Sequence, residues 1–223
     1  NTTGTSNTAV GLTALDANTI GNNNTAIGNN CLSSSTTASQ NTSVGSSSLD
    51  SITTGFANVA VGFVAGGGLT TGNYNIAIGQ ESLAATSTAS NNTAVGHEAL
   101  KSNTTGSINT AVGYQSLLKN TEGLANTSVG SSSMQETTTG QQNTALGHEA
   151  LRDNTTANFN TAIGKSALQD NTTGASNTAV GALALDANTT ANNNTAIGKG
   201  ALTVNTTGSA STAVGFQPLS SNT

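Results

Sequence analysis

The 223-residue sequence contains no Trp, one Cys, one Pro and one Met, and only two Tyr and four Phe. Charged residues make up 7% of it, against about a quarter in an ordinary globular domain. Each scarcity excludes something. A single Cys rules out a disulfide framework and a thiolate zinc site within one chain. Five scattered Lys and Arg residues and a net charge of −5 leave no electrostatic footprint for nucleic acid or an anionic membrane. No apolar run approaches the ~18 residues of a membrane span, and the first residues do not read as a signal peptide. Apolar residues reach only 34%, much of it Ala, below the ~45–50% from which a globular core is usually drawn. The low charge equally argues against a chain held open by repulsion. Something other than a large core must order it.

What the sequence does have is thirty Asn, forty Thr and twenty-six Gly, arranged with a period. The Gly that closes each Asn-Thr-Ala-Val-Gly-like motif recurs from Gly11 to Gly215 at intervals of 17, thirteen times, without insertion or deletion. Counting each repeat from its Asn, the consensus is N-T-A-V-G-x-x-A-L-x-x-N-T-T-G-x-x. Position 1 is Asn except at Ser211, position 4 is always Val, Ile or Leu, and position 5 is always Gly. Position 9 is Leu except at Gly66 and Met134, and position 13 is Thr except at Ser87. The array spans 1–223, with a partial coil at 1–6, full coils over 7–210 and a partial coil at 211–223, and is expected to be a window of a longer one.

Seventeen residues are too few for a helix pair and suit one coil of an all-β, parallel β-solenoid, a β-roll of thirteen coils. A helical turn over positions 6–11 is the alternative, although six residues seldom sustain a helix. Strand side chains alternate. The aliphatic position 4 is therefore expected to point inward at Val10, Ile27, Val44, Val61, Ile78 and Val95, together with position 2. Leu15, Leu32, Leu49 and Leu100 at position 9 form the second core row. A short Thr-rich strand is expected at positions 12–14. Gly at position 5 fits a positive φ or a close backbone approach.

Stacking at ~4.8 Å places identical residues above one another and gives thirteen coils a length of about 60 Å. Asn24, Asn41, Asn58, Asn75, Asn92 and Asn109 are expected to form a hydrogen-bonded ladder, and Thr104, Thr121 and Thr138 a stacked Thr row. Stability would then be nearly a nearest-neighbour sum. Small residues at positions 3 and 8 (Ala9, Ser43, Ala60; Ala14, Cys31, Ser48) make stripes that would permit close approach of other chains, as in a homotrimer.

The motifs Asn58-Val59-Ala60-Val61-Gly62 and Asn75-Ile76-Ala77-Ile78-Gly79 resemble the repeats of trimeric autotransporter adhesin heads. The full consensus, with Asn-Thr-Thr-Gly between motifs, is similar to the repeats of bacteriophage and virus-like tail-fibre proteins. The resemblance covers the whole chain, although adhesin heads run a few residues shorter per coil. It implies a left-handed β-roll of three associated chains in an extracellular, cell-surface or virion-borne fibre. It contributes no catalytic residue.

Reactive residues yield no site by spacing. His97-Glu98 and His148-Glu149 share positions 6 and 7, but Lys101 and Arg152 stand where a metalloprotease helix needs its second His. The two histidines are three coils, roughly 14 Å, apart, far beyond a ~2.0 Å zinc–nitrogen bond. Asp16, Asp50 and Asp186 share position 10 at least two coils apart, and Asp153 and Asp170 sit beside Arg152 and Lys165 as surface charge. Cys31 reads as a Ser or Ala substitute. Exposed aromatics (Phe63, Tyr114 and Phe216; Tyr74 and Phe159) are too sparse for a sugar-stacking platform. The expectations are therefore a non-enzyme without cofactor or metal, neither inserted in a membrane nor bound to nucleic acid. Its expected role is that of a structural shaft or stalk supporting adhesion, with any host receptor or glycan met elsewhere on the parent protein. A surface- or glycan-binding adhesin head is the alternative. An ice-binding solenoid is a third reading, weakened because no Thr-x-Thr face is present and Ile20 and Glu122 interrupt the position-14 row.

Overall fold

The computed structural model describes residues 2–220. Thirteen three-residue strands form, one per repeat: β1 (Thr8–Val10), β2 (Thr25–Ile27), β3 (Thr42–Val44), β4 (Val59–Val61), β5 (Ile76–Ile78), β6 (Thr93–Val95), β7 (Thr110–Val112), β8 (Thr127–Val129), β9 (Thr144–Leu146), β10 (Thr161–Ile163), β11 (Thr178–Val180), β12 (Thr195–Ile197) and β13 (Thr212–Val214). No helix occurs among the described residues. The chain divides into two units, the first running to Ile108 with β1–β6 and the second starting at Asn109 with β7–β13.

Both units are parallel β-solenoids with the 17-residue repeat. Each strand pairs in register with the equivalent strand of the next coil, as in Thr25↔Thr42, Ala26↔Ser43 and Ile27↔Val44, or Thr161↔Thr178, Ala162↔Ala179 and Ile163↔Val180. Beyond the strands, backbone bonds continue around the coil. The position-9 amide donates to the position-8 carbonyl of the next coil (Leu32 to Ser48, 3.1 Å), and the position-7 amide to the position-6 carbonyl of the preceding one (Ser47 to Asn29, 2.9 Å). Successive coils thereby consume each other's backbone donors and acceptors, which would otherwise cost free energy when buried.

Gly at position 5 serves both purposes expected of it. Gly113 has φ +136, and a Cβ added there would lie 2.5 Å from the Gly130 carbonyl oxygen of the next coil. Positions 7, 9 and 17 are also left-handed, and apart from Gly66 and Gly200 the residues here are not Gly: Glu98 has φ 58, Leu100 has φ 51 and Ile108 has φ 63. Such a conformation costs an L residue roughly 1–2 kcal/mol, so the interlocked backbone and the buried Leu row must outweigh it in every coil.

The strands face opposite to the sequence expectation. Val10 is 57% exposed, Ile27 40%, Val61 37% and Ile78 39%, while Val44 and Val95 are half-buried. The buried side of the strand is position 3, where Ala26, Ser43, Ala60 and Ala94 are all fully enclosed. The reason is the narrowness of the coil. Position 3 looks across at position 8: the Ser43 hydroxyl bonds the Ser48 hydroxyl and carbonyl, and Ser116 Oγ donates to Ser128 Oγ at 2.8 Å. Two walls that close together admit Ala and Ser but not Val or Ile. The small stripes are thus internal, with Ser43, Ala60, Cys31 and Ser48 buried, and they are not surfaces for another chain. The end coils expose their equivalents, at Ala9 and in part at Ala14 and Pro218.

Position 9 lies inside in every coil but the last, where Leu219 is 49% exposed. Leu32, Leu49 and Leu100 are fully buried and Leu15 is 6% exposed. The Thr-rich segment at positions 12–14 is a bend and not a strand. Its position 12 forms a further buried row, from Asn18 and Ser35 through Ile52 and Leu69 to Asn205.

Candidate functional site

Two surfaces could carry function: the outward side of the strands and the variable turns. Both are set in place by the Asn ladders. In the first unit, the backbone N–H groups of Asn24, Asn41, Asn58, Asn75 and Asn92 each donate to the side-chain oxygen of the Asn one coil earlier, at 2.9–3.0 Å. In the second unit, Asn109 Oδ1 accepts from the Asn126 amide at 2.9 Å, and the series continues to Ser211. From Asn7 to Asn177 each Asn also donates from Nδ2 to the position-15 carbonyl one turn onward, as Asn58 does to Gly72 and Asn109 to Gly123, whereas Asn194 Nδ2 is buried without such a bond. The position-12 Asn reaches a position-15 carbonyl within its own coil, Asn120 Nδ2 to Gly123 at 3.2 Å. One carbonyl therefore takes two amides, which fixes the corner before each strand.

The Thr row is tied to the main chain by its hydroxyl groups. Thr121 and Thr138 each donate Oγ1 to the main-chain carbonyl of the next Thr, both at 3.1 Å. Thr104 occupies the same row and is exposed.

The strands' outward side carries position 2, mostly Thr with Val59 and Ile76, beside the aliphatic position 4. Neither position holds a charged residue in any of the thirteen repeats. In the second unit the Thr row is unbroken from Thr110 to Thr212.

Charges gather on the turns as small ion-pair clusters. Lys101 Nζ lies 2.5 Å from Glu81 Oε2 and 2.6 Å from Glu98 Oε1, linking neighbouring coils. The hydrogen bond from Lys101 holds the Glu81 carboxyl below its ordinary range, and the two carboxylates raise the Lys101 ammonium. His97 Nδ1 is 3.7 Å from Glu98 Oε2. In the second unit, His148 Nδ1 is 3.4 Å from Glu149 Oε2, and Arg152 spans Glu149, Asp153 and Asp170. Its bond to Asp153 is the main cause of a raised guanidinium pKa. Exposed pairs of this kind contribute roughly 0–1 kcal/mol each. Among the described residues, no group of three or more His, Cys, Asp or Glu is placed to hold a metal ion. Asp16, Asp50 and Asp186 do not converge: they occupy equivalent turns of different coils.

Cys31 is buried, and that burial raises its thiol above the ordinary value. One feature escaped the sequence reading: Phe56, at position 16, meets Tyr74 of the next coil edge-to-face, with ring centroids 5.0 Å apart and planes at 78°. The signal was available as a position-16 aromatic 18 residues before a position-17 aromatic. No helix among the described residues is long and apolar enough to cross a membrane. No protein-family model, curated protein or solved structure matches the chain.

Proposed function

We propose that this chain is a structural shaft: a homotrimeric segment of an extracellular, cell-surface or virion-borne fibre that holds an adhesive part at a distance. The observation that carries this reading is the sameness of the coil. The same register, the same Asn ladder and the same left-handed positions recur at every repeat, so each additional 17 residues adds a coil and no new shape. Such a chain encodes length, and stability follows from neighbour-to-neighbour interfaces. The tail-fibre and adhesin-head resemblance of the motifs supports the same role and the number three. On this reading the chain performs no chemistry and binds no cofactor.

The test is electron microscopy of variants lacking or duplicating whole repeats. The expected contour length changes by ~4.8 Å per coil, with particle width constant. A particle whose dimensions do not follow repeat number would overturn the shaft. A second reading, contact with a glycan or surface protein, is favoured only by the Phe56–Tyr74 pair, whose rings are 37% and 56% exposed. Loss of glycan-array binding in a Phe56→Ser, Tyr74→Ser variant would carry it, and an array without wild-type signal would remove it.

A further inference from the structure

We infer that the outward side of strands β7–β13 is an ice-adsorbing surface, whose occupant is the ordered water of a crystal face. This activity goes beyond the shaft role, which asks only for length.

The inference starts from the reversal of the strands. With position 2 expected inside, the one Thr row open to ordered water was position 14, which Ile20 and Glu122 interrupt. The structure turns position 2 outward, and there the second unit carries Thr in seven successive coils, from Thr110 to Thr212.

Three observations point to crystalline water. The first is what the hydroxyls do. The chain consumes those of position 13: Thr155 donates to the Thr172 carbonyl at 3.1 Å, and Thr172 to the Thr189 carbonyl at 3.0 Å. Among the described residues, the position-2 hydroxyls of this row have no partner within the chain and are not sealed from solvent. Each keeps one donor and two acceptor sites for water.

The second is the grid. Thr144 pairs in register with Thr161, and Thr161 with Thr178, so successive hydroxyls stand ~4.8 Å apart. Two residues along each strand, roughly 6.6 Å away, runs the aliphatic position-4 rank. The oxygen rows of hexagonal ice repeat on a closely similar grid, so a water held by one Thr sets the place of the next. Thr, Val and Ile are stiff at χ1, and the pattern is therefore held before water arrives. A small solute gains nothing from seven identical steps; a lattice does.

The third is charge. Neither rank holds an ionic group, and the ion pairs sit on the turns. A charge would keep its own hydration shell against the lattice. Leu146, Ile163 and Ile197, 47%, 36% and 41% exposed, instead leave water to bond with itself in cages that the neighbouring hydroxyls anchor. In the first unit Val59 and Ile76 break the row in consecutive coils, so the activity is assigned to the second.

The test measures inhibition of ice recrystallisation by the full chain, with circular dichroism on the same samples. The wild type is expected to keep crystals small at concentrations where serum albumin does not. Thr144→Lys combined with Thr178→Lys should raise the concentration needed at least tenfold, with the β-signal retained because both side chains lie outside the coil. Thr156→Lys combined with Thr190→Lys makes the same chemical change on the exposed position-14 row and should leave that concentration unchanged. A second measurement needs no variant: the wild type, labelled with a fluorophore at its terminal amine, should adsorb to defined planes of a growing single ice crystal. A wild type no more active than albumin, or one excluded from the crystal, overturns the proposal. So does activity unmoved by the position-2 pair, or lost equally with both pairs. Association in sedimentation velocity together with exclusion from ice would overturn it in favour of a second copy covering the face. The shaft is judged by contour length against repeat number, so a failed ice surface and a failed shaft give different results.

Discussion

The side-chain oxygen of Asn41 accepts two bonds from Asn58, from its backbone N–H at 2.9 Å and from its Nδ2 at 3.1 Å. Asn58 repeats the arrangement toward Asn75, and its Nδ2 also donates to the Gly72 carbonyl at 2.9 Å. An amide is the one side chain of this size that can accept from the next coil's Asn and donate to the corner carbonyl that precedes it. The recurrence of Asn at position 1 is therefore a requirement of stacking.

Substitutions at Asn58 separate the two halves of that requirement. Asn58→Ala removes both and should cost about 1–3 kcal/mol, because buried backbone groups lose their partners. Asn58→Asp keeps the acceptor but aims a carboxylate oxygen at the Gly72 carbonyl. Burial and that carbonyl raise the folded-state pKa of the new acid above its unfolded value of about 3.9. Its ionised form is penalised at neutral pH, and the penalty shrinks as pH falls through the raised value. Urea midpoints of Asn58→Asp should thus approach wild type on acidification, while those of Asn58→Ala keep a constant offset.

Adjacent residues of β10 test which way the strands face. Ala162 is fully buried and Ile163 is 36% exposed. Ala162→Leu overfills the narrow coil and should destabilise by about 1–3 kcal/mol. Ile163→Thr should change the unfolding free energy of the unassociated chain by less than about 0.5 kcal/mol. The reverse ranking in denaturant titrations would place the aliphatic row inside.

Much of this architecture was legible in the sequence, and the part that was not has a physical cause. The period, the turn at Gly113, the buried Leu100 row and the Asn58 ladder all follow from residue type and spacing. Alternation, however, sorts strand residues only into two sets and does not say which set is inside. Size suggested Val112, and the narrowness of the coil chose Ala111. The overlooked signal is parity: Asn109, Ala111 and Gly113 share one side of the strand, and an Asn needed by the backbone pulls its set inward. Positions 12–14 are Thr-rich and suggest a short strand, yet position 12 is a buried row, for which Ile52 and Leu69 are the sequence signal. The left-handed positions 7, 9 and 17 are only sparsely marked in residue type, by Asn30, Gly66, Asn91 and Gly200 among others, since the Leu, Glu and Ile that share them ordinarily avoid that region.

Ile108 offers a stabilising change on these grounds. It is β-branched, 63% exposed and held at φ 63, where Asn is far better tolerated. Ile108→Asn should raise unfolding stability by about 1 kcal/mol, read as an increased urea midpoint. An unchanged or lowered midpoint would show that the Ile side chain earns its place through packing.

Cys31 should be chemically silent in the folded chain. Its burial raises the thiol pKa, so thiolate, the reacting species, is scarce near neutral pH and shielded from reagent. Alkylation should proceed at the rate of global or local unfolding and accelerate sharply across the urea transition. Rapid labelling under native conditions would place Cys31 at the surface.

Asp186 should be a site where removing a charge strengthens the fold. Its Oδ1 is buried and makes no hydrogen bond within the described chain. Burial is the main cause of its raised pKa, and the nearby Asp170 raises it further, partly offset by the backbone N–H groups of Ala187 and of Asp186 itself. An acid whose pKa is higher folded than unfolded favours the folded state while protonated, and that advantage is lost as pH rises through the interval between the two values. Above that interval the ionised carboxylate is a standing cost. Ala84 occupies the same repeat position, so Asp186→Ala removes the carboxyl without asking the turn for a new shape. The variant should melt higher than wild type at pH 7, with the gain shrinking toward pH 3 as the wild-type carboxyl protonates in both states. Paired thermal scans at the two pH values decide it. An equal gain at both would show that shape, and not ionisation, sets the cost of Asp186, and a loss at pH 7 would mean that the bonds to its carboxylate outweigh its burial.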